Sequence, residues 1–295
     1  MKNNHFSAFL TYIILVNNMK KTFEILGIIS LMCFSFFYTE KTLSVVKEND
    51  EIMIQIKKEK EKYEENATNA NIIDDKITPG LHGVEVDIDS SYSKMRRYGK
   101  YNENLITIKN KKPDISIEDN YDKFIISGNE SLNNTTFIFL ATKDTNIDNV
   151  LKILKEKNVK ATFFIDFYFY DEEKLKKIIS NEHEIGNLSI NYNYKDSAFA
   201  WLNTKIKKYQ ENTYCYSDDY NKETLLLCSA SKIYTITPSI ITTTKPLYEI
   251  KKQLKNGSII SFHINEQLEK ELPLIINNIK SKGLNIVPLK DLLTE

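Results

Sequence analysis

The 295-residue sequence contains little glycine, proline, cysteine or histidine: 8, 6, 3 and 4 residues, respectively. It also lacks an excess of either charge, because its 40 basic residues are balanced by 40 acidic ones. A nucleic-acid-binding protein is expected to carry a basic patch or stripe, so this balance argues against a nucleic-acid partner. Only His82, His183 and His263 lie beyond the N-terminal segment, so any histidine-based metal site must be built from these three.

One long apolar run lies near the N-terminus, from Phe23 to Tyr38, and it is preceded by Lys20-Lys21. Its length is slightly below the roughly twenty residues that a helix needs to cross a bilayer. No small-x-small cleavage pattern follows it. We therefore predict an uncleaved signal anchor over residues 19–40, with a removed signal peptide as the alternative. Lys20-Lys21 would keep the N-terminus in the cytoplasm and place the rest of the chain outside the membrane. Residues 1–18 are a leader of doubtful relevance.

The next two segments differ in composition. Residues 41–76 are dense in lysine and glutamate, which is typical of a solvated stalk. Residues 77–133 contain short segments bounded by glycine and proline, which indicates a small β-containing extension. Its expected strands are Leu105–Ile108, Ile115–Ile117 and Phe124–Ile126.

Residues 134–295 alternate between apolar strands and amphipathic helices, which predicts an α/β domain with a parallel sheet. Strands are expected at Phe137–Leu140, Thr162–Asp166, Glu184–Asn187, Thr213–Tyr216, Ile233–Ile236, Ser239–Thr243, Ser258–His263 and Asn285–Pro288. Helices are expected at Ile147–Lys157, Glu172–Ser180, Ala198–Tyr209, Lys222–Ser231, Leu247–Leu254 and Gln267–Lys282. Periodicity alone does not distinguish an open sheet from a barrel.

The helix and strand from Val150 to Ile165 include "KATFF", His183 to Asn187 reads "HEIGN", and Gly257 to His263 reads "GSIISFH". These motifs resemble the polysaccharide deacetylase (NodB-homology) family, whose corresponding turn is "GHEIGNHT" and whose corresponding strand is "GSIILLH". The segment Leu284 to Leu293 resembles the family's closing strand. The resemblance implies a distorted, incomplete (β/α) barrel for residues 134–295, preceded by the small extension and the membrane helix. In the family, the mouth of this barrel holds a divalent metal such as zinc.

The family's catalytic acids come from "TFDDG" at the end of the first strand. In this sequence the corresponding run is Ile138 to Asp144, and the strand register puts Thr142 and Lys143 at the positions of the two acids. Asp144 is offset by one residue and is at best a displaced substitute. The ammonium group of Lys143 would add positive charge at a cation site, so the resemblance does not extend to this part of the metal centre.

The family's two histidine ligands come from "HTYSH", where Leu188 and Tyr192 stand in this sequence. Neither side chain is a ligand that zinc prefers. His183 belongs to the preceding turn, where the resemblance implies a structural histidine, and Tyr214 to Ser217 replace an arginine-containing run. His263 alone remains at the position of a family catalytic histidine. We therefore expect no metal cofactor.

Three interpretations of function follow. The first is a membrane-anchored, extracytoplasmic pseudoenzyme that binds or organises cell-wall polysaccharide, with Tyr192, Tyr194 and Trp201 as candidate sugar-binding residues. Tyr168 and Tyr170 offer similar rings, and all these aromatic residues are also plausible core residues. The second is an active carbohydrate N-deacetylase with a rebuilt site that uses Asp144 and His263, with Asp166 as a further candidate. The third is a structural partner in an envelope assembly.

Cys215 and Cys228 are the only cysteines outside the apolar N-terminal run. An extracytoplasmic domain meets oxidising conditions, under which two cysteines near each other in space form a disulfide. Cys215 is expected in a strand and Cys228 in the following helix, which packs back onto that strand. We therefore predict a disulfide between them, and the alternative is that Cys228 is simply a small buried residue.

Overall fold

The computed structural model describes residues 26–38, 41, 44–194, 197–211 and 213–295. The chain divides into two compact units, of which the first takes in the residues up to Glu65 together with Glu85–Lys109. The second contains Asn66–Val84 and Asn110–Glu295. The predicted boundaries after residues 76 and 133 do not coincide with this division. Residues on both sides of each boundary supply strands to the sheet of the second unit.

Strands and helices are numbered separately in chain order. The strands are β1 (Asn71–Ile73), β2 (Lys76–Thr78), β3 (Gly83–Val86), β4 (Ile108–Lys111), β5 (Phe124–Ile125), β6 (Asn134–Ala141), β7 (Thr162–Ile165), β8 (Glu184–Asn187), β9 (Tyr214–Tyr216), β10 (Tyr234–Ile236), β11 (Ile240–Ile241), β12 (Ile259–His263) and β13 (Asn285–Ile286). The helices are α1 (Glu51–Glu59), α2 (Ile88–Tyr98), α3 (Asp148–Glu156), α4 (Glu172–Ser180), α5 (Ser197–Ile206), α6 (Lys222–Ala230), α7 (Pro246–Gln253), α8 (Glu266–Ser281) and α9 (Leu289–Leu292). Short 3-10 helices occupy Lys60–Lys62, Glu103–Leu105 and Ile117–Asp119.

The first unit contains α1 and α2. The side chain of Asp50 accepts a hydrogen bond from Ile52 N at the start of α1, and Gly99, with φ of 91°, ends α2 in the left-handed conformation that favours glycine. Ile56 and Met95 from the two helices are fully buried in one small core. The charged segment that includes α1 therefore buries one face, which a fully solvated stalk does not do.

The second unit contains one large sheet, in which the described strands follow the order β1-β2-β5-β10-β9-β8-β7-β6-β12-β11, with β13 also paired to β6. Only the pairing of β1 with β2 is antiparallel; the other pairings of this sheet are parallel. The strands predicted at Phe137–Leu140, Thr162–Asp166 and Ser258–His263 correspond to β6, β7 and β12, which are consecutive neighbours in this order. The prediction of a parallel α/β domain is confirmed.

Both faces of the sheet are covered. Along β6, Phe137 and Phe139 belong to the large core that also includes buried residues of α3 and α8. The alternate residues Ile138 and Leu140 belong to a second core on the other face, which also contains Leu292 of α9. Because successive side chains of a strand point to opposite faces, a strand that is apolar throughout needs this cover on both sides.

The local sequence explains where many of these elements begin and end. Asp171, Asn221 and Asn265 each accept a hydrogen bond from the third backbone N–H that follows, at the starts of α4, α6 and α8. Each strand and helix predicted for residues 134–295 is present, with its ends shifted by at most three residues. These short shifts are of the size by which helix and strand ends commonly vary.

Two of the three strands predicted in the extension are wrong. Leu105 ends a 3-10 helix, and β4 begins only at Ile108. Ser116 caps the 3-10 helix Ile117–Asp119 through its side chain, which takes Ile117 out of a strand. The strand at Phe124 is confirmed as β5, and it joins the main sheet beside β10.

Residues 26–38 are helical and exposed. Within the part of the chain that the structure describes, no helix combines the length and the apolar character required to cross a bilayer. Of the predicted anchor over residues 19–40, residues 19–25 and 39–40 lie outside the described residues.

Candidate functional site at the mouth of the sheet

The loops that follow β6, β7, β8 and β12 meet at the C-terminal ends of these parallel strands, which is where α/β proteins of this kind place their sites. A shallow cavity of about 640 Å³ lies there. It is lined by Thr142, Lys143, Asp144, Thr145, Asp166, Tyr168, Asn191 and Ile264. The strand end predicted from the family motif therefore does face a cavity.

The loop after β6 is closed by its own threonines. Thr145 N donates to Thr142 O at 2.9 Å, and Thr142 N donates to Thr145 Oγ1 at 2.9 Å. This turn leaves Lys143 and Asp144 exposed at its tip. Asp144 is thus the carboxylate that this loop presents at the cavity, and the exposed ammonium group of Lys143 precedes it in the sequence.

Leu188 occupies the position of the family's first histidine ligand, directly after β8. Its side chain is 0% exposed and belongs to the core that also contains Phe164 and Tyr216. Its backbone continues the sheet, because Leu188 N donates to Ile165 O at 2.9 Å. Leu188 is not among the residues that line the cavity. At the position where the family has a histidine ligand, this chain therefore has a residue of the hydrophobic core.

Tyr192, at the position of the second histidine ligand, is half-buried with its ring centroid 5.8 Å from that of Tyr216. Burial is the main cause that raises the pKa of the Tyr192 phenol. Of the four residues at the family's ligand and base positions, Thr142 and Lys143 line the cavity, whereas Leu188 and Tyr192 are not among its lining residues. Two large side chains packed inward account for the difference.

The backbone of the loop after β8 is strained. Ser189, Asn191 and Tyr192 have φ values of 56°, 48° and 63°, in the left-handed region that non-glycine residues rarely adopt. Such residues persist where the surrounding structure fixes them, and they cluster at functional loops. The loop thus keeps an unusual conformation, although the side chains that would bind a metal are absent from it.

Asp166 is the buried acid of the cavity, at the end of β7. It is 1% exposed, and its Oδ1 accepts a hydrogen bond from Phe169 N at 2.7 Å. Burial raises the pKa of this carboxyl, while its hydrogen bonds with backbone N–H groups act in the opposite direction. In the sequence Asp166 stood only as a further candidate for a rebuilt site, because its burial depends on the loop from Phe167 to Tyr170.

His263, the last residue of β12, is exposed and is paired in register with Leu140 of β6. Among the described residues, no group of three His, Cys, Asp or Glu side chains lies close enough together to hold a metal ion. Zinc sites use three or four such donors, so the residues at this mouth do not fit the metal centre that the family resemblance implies.

Exposed aromatic rings lie beside the cavity. The Trp201 ring contacts those of Phe167 and Tyr170, with centroids 5.1 Å and 4.8 Å away. Phe167 in turn contacts Tyr168, which is 53% exposed and lines the cavity, whereas Trp201 is 39% exposed. Lys205 Nζ lies 5.0 Å from the Trp201 centroid. We call these four rings and Lys205 the aromatic surface.

Tyr194 is a core residue, which corrects its candidacy as a sugar-binding residue. It is 3% exposed; its hydroxyl donates to Asn187 O at 2.7 Å and accepts from Tyr216 N at 2.9 Å. Burial raises the pKa of its phenol far above the usual range. The hydroxyl ties the end of β8 to β9, so this ring has no face to offer a ligand.

Cys215 of β9 and Cys228 of α6 are joined by a disulfide, with their Cα atoms 6.4 Å apart. Both cysteines are buried in a cluster with Tyr194, Phe199 and Ile233. The segment that replaces the family's arginine-containing run is therefore cross-linked to the helix that follows it.

His183 is buried in the turn that precedes β8. Its Nδ1 accepts a hydrogen bond from Ala161 N at 3.2 Å, and its ring contacts that of Phe163. Burial lowers the pKa of its imidazole to about 4. These contacts agree with a structural histidine in the turn before β8.

Comparison with known proteins shows what part of the chain is similar to a known family. Residues 136–225 match the family described as polysaccharide deacetylase. The chain is 26% identical over 281 residues to YlxY of Bacillus subtilis strain 168, an uncharacterised protein, and the match spans 86% of this chain and 87% of that protein.

Solved structures show the same fold. BA3943 of Bacillus anthracis, described as a CE4 family pseudoenzyme, superposes with a TM-score of 0.60 at 22% identity, covering 84% of this chain and 96% of that one. A mutant of BA3943, described as having restored enzymatic activity, gives 0.61 at 23% identity, with 83% and 99% covered. PdaA of Bacillus subtilis, a family 4 carbohydrate esterase, gives 0.52 at 20% identity, with 59% and 86% covered. The resemblance to the polysaccharide deacetylase family is thus confirmed, in a form that lacks most of the metal-site residues.

Proposed function

We propose that this polysaccharide-deacetylase-like protein is a pseudoenzyme that binds cell-wall glycan without deacetylating it. The observation that carries the proposal is the burial of Leu188 in the core, at the position of a histidine ligand. This position offers no metal ligand, because an apolar side chain packed in the core that also contains Phe164 and Tyr216 stands there.

The chemistry of deacetylation supports the same proposal. A metal-dependent deacetylase needs a divalent ion that activates water, a carboxylate base and an acid for the leaving amine. In this chain Lys143 brings an ammonium group to the cavity and Asp166 is held by a backbone hydrogen bond. Positive charge beside a cation site opposes metal binding.

Glycan binding is supported by the aromatic surface. Flat aromatic faces pack against the apolar C–H faces of sugar rings, and Tyr and Trp combine such a face with a hydrogen-bonding group. Trp201 and Tyr168 are partly exposed next to the cavity, and their rings are held by contacts with Tyr170 and Phe167. Rings that are already fixed lose little conformational entropy on binding, which favours a role as a binding platform.

The experiment is a binding measurement with oligomers of N-acetylglucosamine, using the wild type, Tyr168→Ala and Trp201→Ala. Both variants are expected to weaken binding by about fivefold, because a ring contact of this kind contributes about 1 kcal/mol. Tyr248→Ala, a similarly exposed tyrosine on α7 at 64%, is the matched control and is expected to leave binding unchanged. Equal binding by all four proteins would refute the role of this surface.

The second candidate is a rebuilt hydrolase. It is favoured by two carboxyl groups in one cavity, exposed Asp144 and buried Asp166, because burial raises the pKa of Asp166. Two carboxyl groups in different environments are a common acid and base arrangement. Release of acetate from an N-acetylated glycan, lost in Asp144→Asn and in Asp166→Asn, would favour this candidate over the pseudoenzyme.

Anchorage in the cell membrane, with the folded units outside, belongs to the same proposal. Its support is the sequence of the N-terminal apolar run and the lysines that precede it. Protease treatment of intact cells is expected to release a fragment that contains the C-terminus. Full-length protein recovered only from the soluble fraction of the cytoplasm would contradict the anchor.

A further inference from the structure

Asp166 carries a buried carboxylate in the wall of the mouth cavity, and no positive charge of the chain neutralises it. The residue is 1% exposed, and among the residues that the structure describes it forms no ion pair. Its hydrogen bonds come from backbone N–H groups of the loop that follows. An ionised carboxylate has about four acceptor sites, so these donors leave part of it free. A buried charge without a counter-charge is unfavourable, and a cationic ligand would supply one.

Carboxylates outnumber ammonium groups among the residues that line this cavity. Asp144 and Asp166 are the two carboxylates, and Lys143 is the one lysine of the lining. Lys143 and Asp144 are both exposed at the tip of their loop, so water and salt screen their charges. The charge of Asp166 is buried and is screened much less. The cavity therefore favours a positively charged group beside Asp166.

The neutral groups of the cavity suit an ammonium ion better than a metal ion. The hydroxyl groups of Thr142 and Thr145 and the side-chain amide of Asn191 add acceptor oxygens to the lining. A primary ammonium group has three N–H donors, which one carboxylate and such oxygens can satisfy. A zinc ion needs three or four His, Cys, Asp or Glu donors, and no such group exists among the described residues. The same mouth can thus hold an amine although it does not fit a metal.

Asp166 also connects the cavity with the aromatic surface. Its Oδ1 accepts from Phe169 N at 2.7 Å, which folds the loop carrying Phe167 and Tyr168 around the carboxyl group. Tyr168 is 53% exposed, belongs to the aromatic surface and lines the cavity. A sugar ring that packs on Tyr168 therefore lies at the edge of the cavity, and a substituent of that ring can enter it.

We propose that the mouth selects glycans that carry a free amine, with a sugar ring on Tyr168 and its ammonium group in the cavity beside Asp166. A glucosamine residue, from which the N-acetyl group has been removed, carries such an amine. The inference rests on the glycan-binding function proposed above and names its ligand class, a cationic amino-sugar polymer. The protein then binds the product of a deacetylation that it does not itself catalyse.

The test on the full-length wild type is isothermal titration calorimetry with the tetramer of glucosamine and the tetramer of N-acetylglucosamine, at a pH at which the amine is protonated. The glucosamine tetramer is expected to bind about tenfold more tightly, because a hydrogen bond between charged groups at a buried carboxylate is stronger than a neutral one. Equal affinities, or tighter binding of the acetylated tetramer, would overturn this inference and leave the proposed glycan binding standing. Failure of both tetramers to bind would overturn both.

The Asp166→Asn variant removes the charge but keeps an oxygen that accepts from Phe169 N. The ratio of the two affinities is expected to fall from about tenfold to about twofold or less. Asp114→Asn, at an exposed aspartate outside the cavity, is the matched control and is expected to keep the wild-type ratio. Urea unfolding of Asp166→Asn checks that the variant is folded. An unchanged ratio in Asp166→Asn, or an equal fall in both variants, would overturn the amine site.

Discussion

Replacing Leu188 with alanine distinguishes a core position from a ligand position. The Leu188 side chain is 0% exposed among Phe164, Tyr216 and other buried residues. Its truncation removes buried apolar area and leaves a cavity, which in well-packed cores costs about 3 kcal/mol of unfolding free energy. A side chain that merely lines an open metal site would cost much less, because little packing would be lost.

The assay is urea unfolding followed by tryptophan fluorescence. Trp201 is the single tryptophan of the sequence, and it lies in the same unit as Leu188, so the signal reports the unfolding of that unit. The midpoint is expected to fall while the slope stays unchanged. Leu226→Ala, at a leucine that is 65% exposed on α6, is the control and is expected to change the free energy by less than about 0.5 kcal/mol. A loss below about 1 kcal/mol in Leu188→Ala would refute the core position.

Further predictions concern the disulfide, the buried histidine and the core tyrosine. Replacing both Cys215 and Cys228 with alanine is expected to lower the unfolding free energy by about 3 kcal/mol, and mass spectrometry of alkylated, non-reduced protein should detect no free thiol at either residue in the wild type. Because burial lowers the pKa of His183 to about 4, the unfolded state binds its proton first; stability is expected to fall by about 3 kcal/mol as the pH drops from about 6.5 to 4. In the His183→Gln variant the unfolding free energy should fall less over this pH range than it does in the wild type. The same pH dependence of stability in both proteins would contradict the burial of His183. Tyr194→Phe leaves Tyr216 N without its acceptor and is expected to cost about 1–3 kcal/mol in unfolding while glycan binding stays unchanged.

The sequence predicted the α/β elements of residues 134–295 well because their signals are local. The uninterrupted apolar strand at β6 and the helix that begins after Asp171 both follow from nearest neighbours along the chain. Pairing between distant segments was not predictable in this way. The addition of β1, β2 and β5 to the main sheet depends on contacts such as Thr235 with Phe124, which are far apart in sequence.

In the candidate site, too, local features could be predicted from the sequence, whereas features that depend on contacts between distant segments could not. Motif register correctly indicated that Thr142 and Lys143 stand at the mouth, because register along one strand is local information. The inward packing of Leu188 and the burial of Tyr194 depend on how β8 and β9 lie side by side, so an aromatic residue of the core and one of the surface look alike in the sequence. The exposed contact of Trp201 with Tyr170 was likewise visible only in three dimensions.

Metal analysis of the purified protein tests the pseudoenzyme account most directly. The protein, prepared in metal-free buffer and then given zinc, is expected to bind no divalent cation at the mouth with sub-micromolar affinity, because Thr142, Lys143, Leu188 and Tyr192 occupy the ligand and base positions. One zinc ion per chain, lost in the Asp144→Ala variant, would contradict the account.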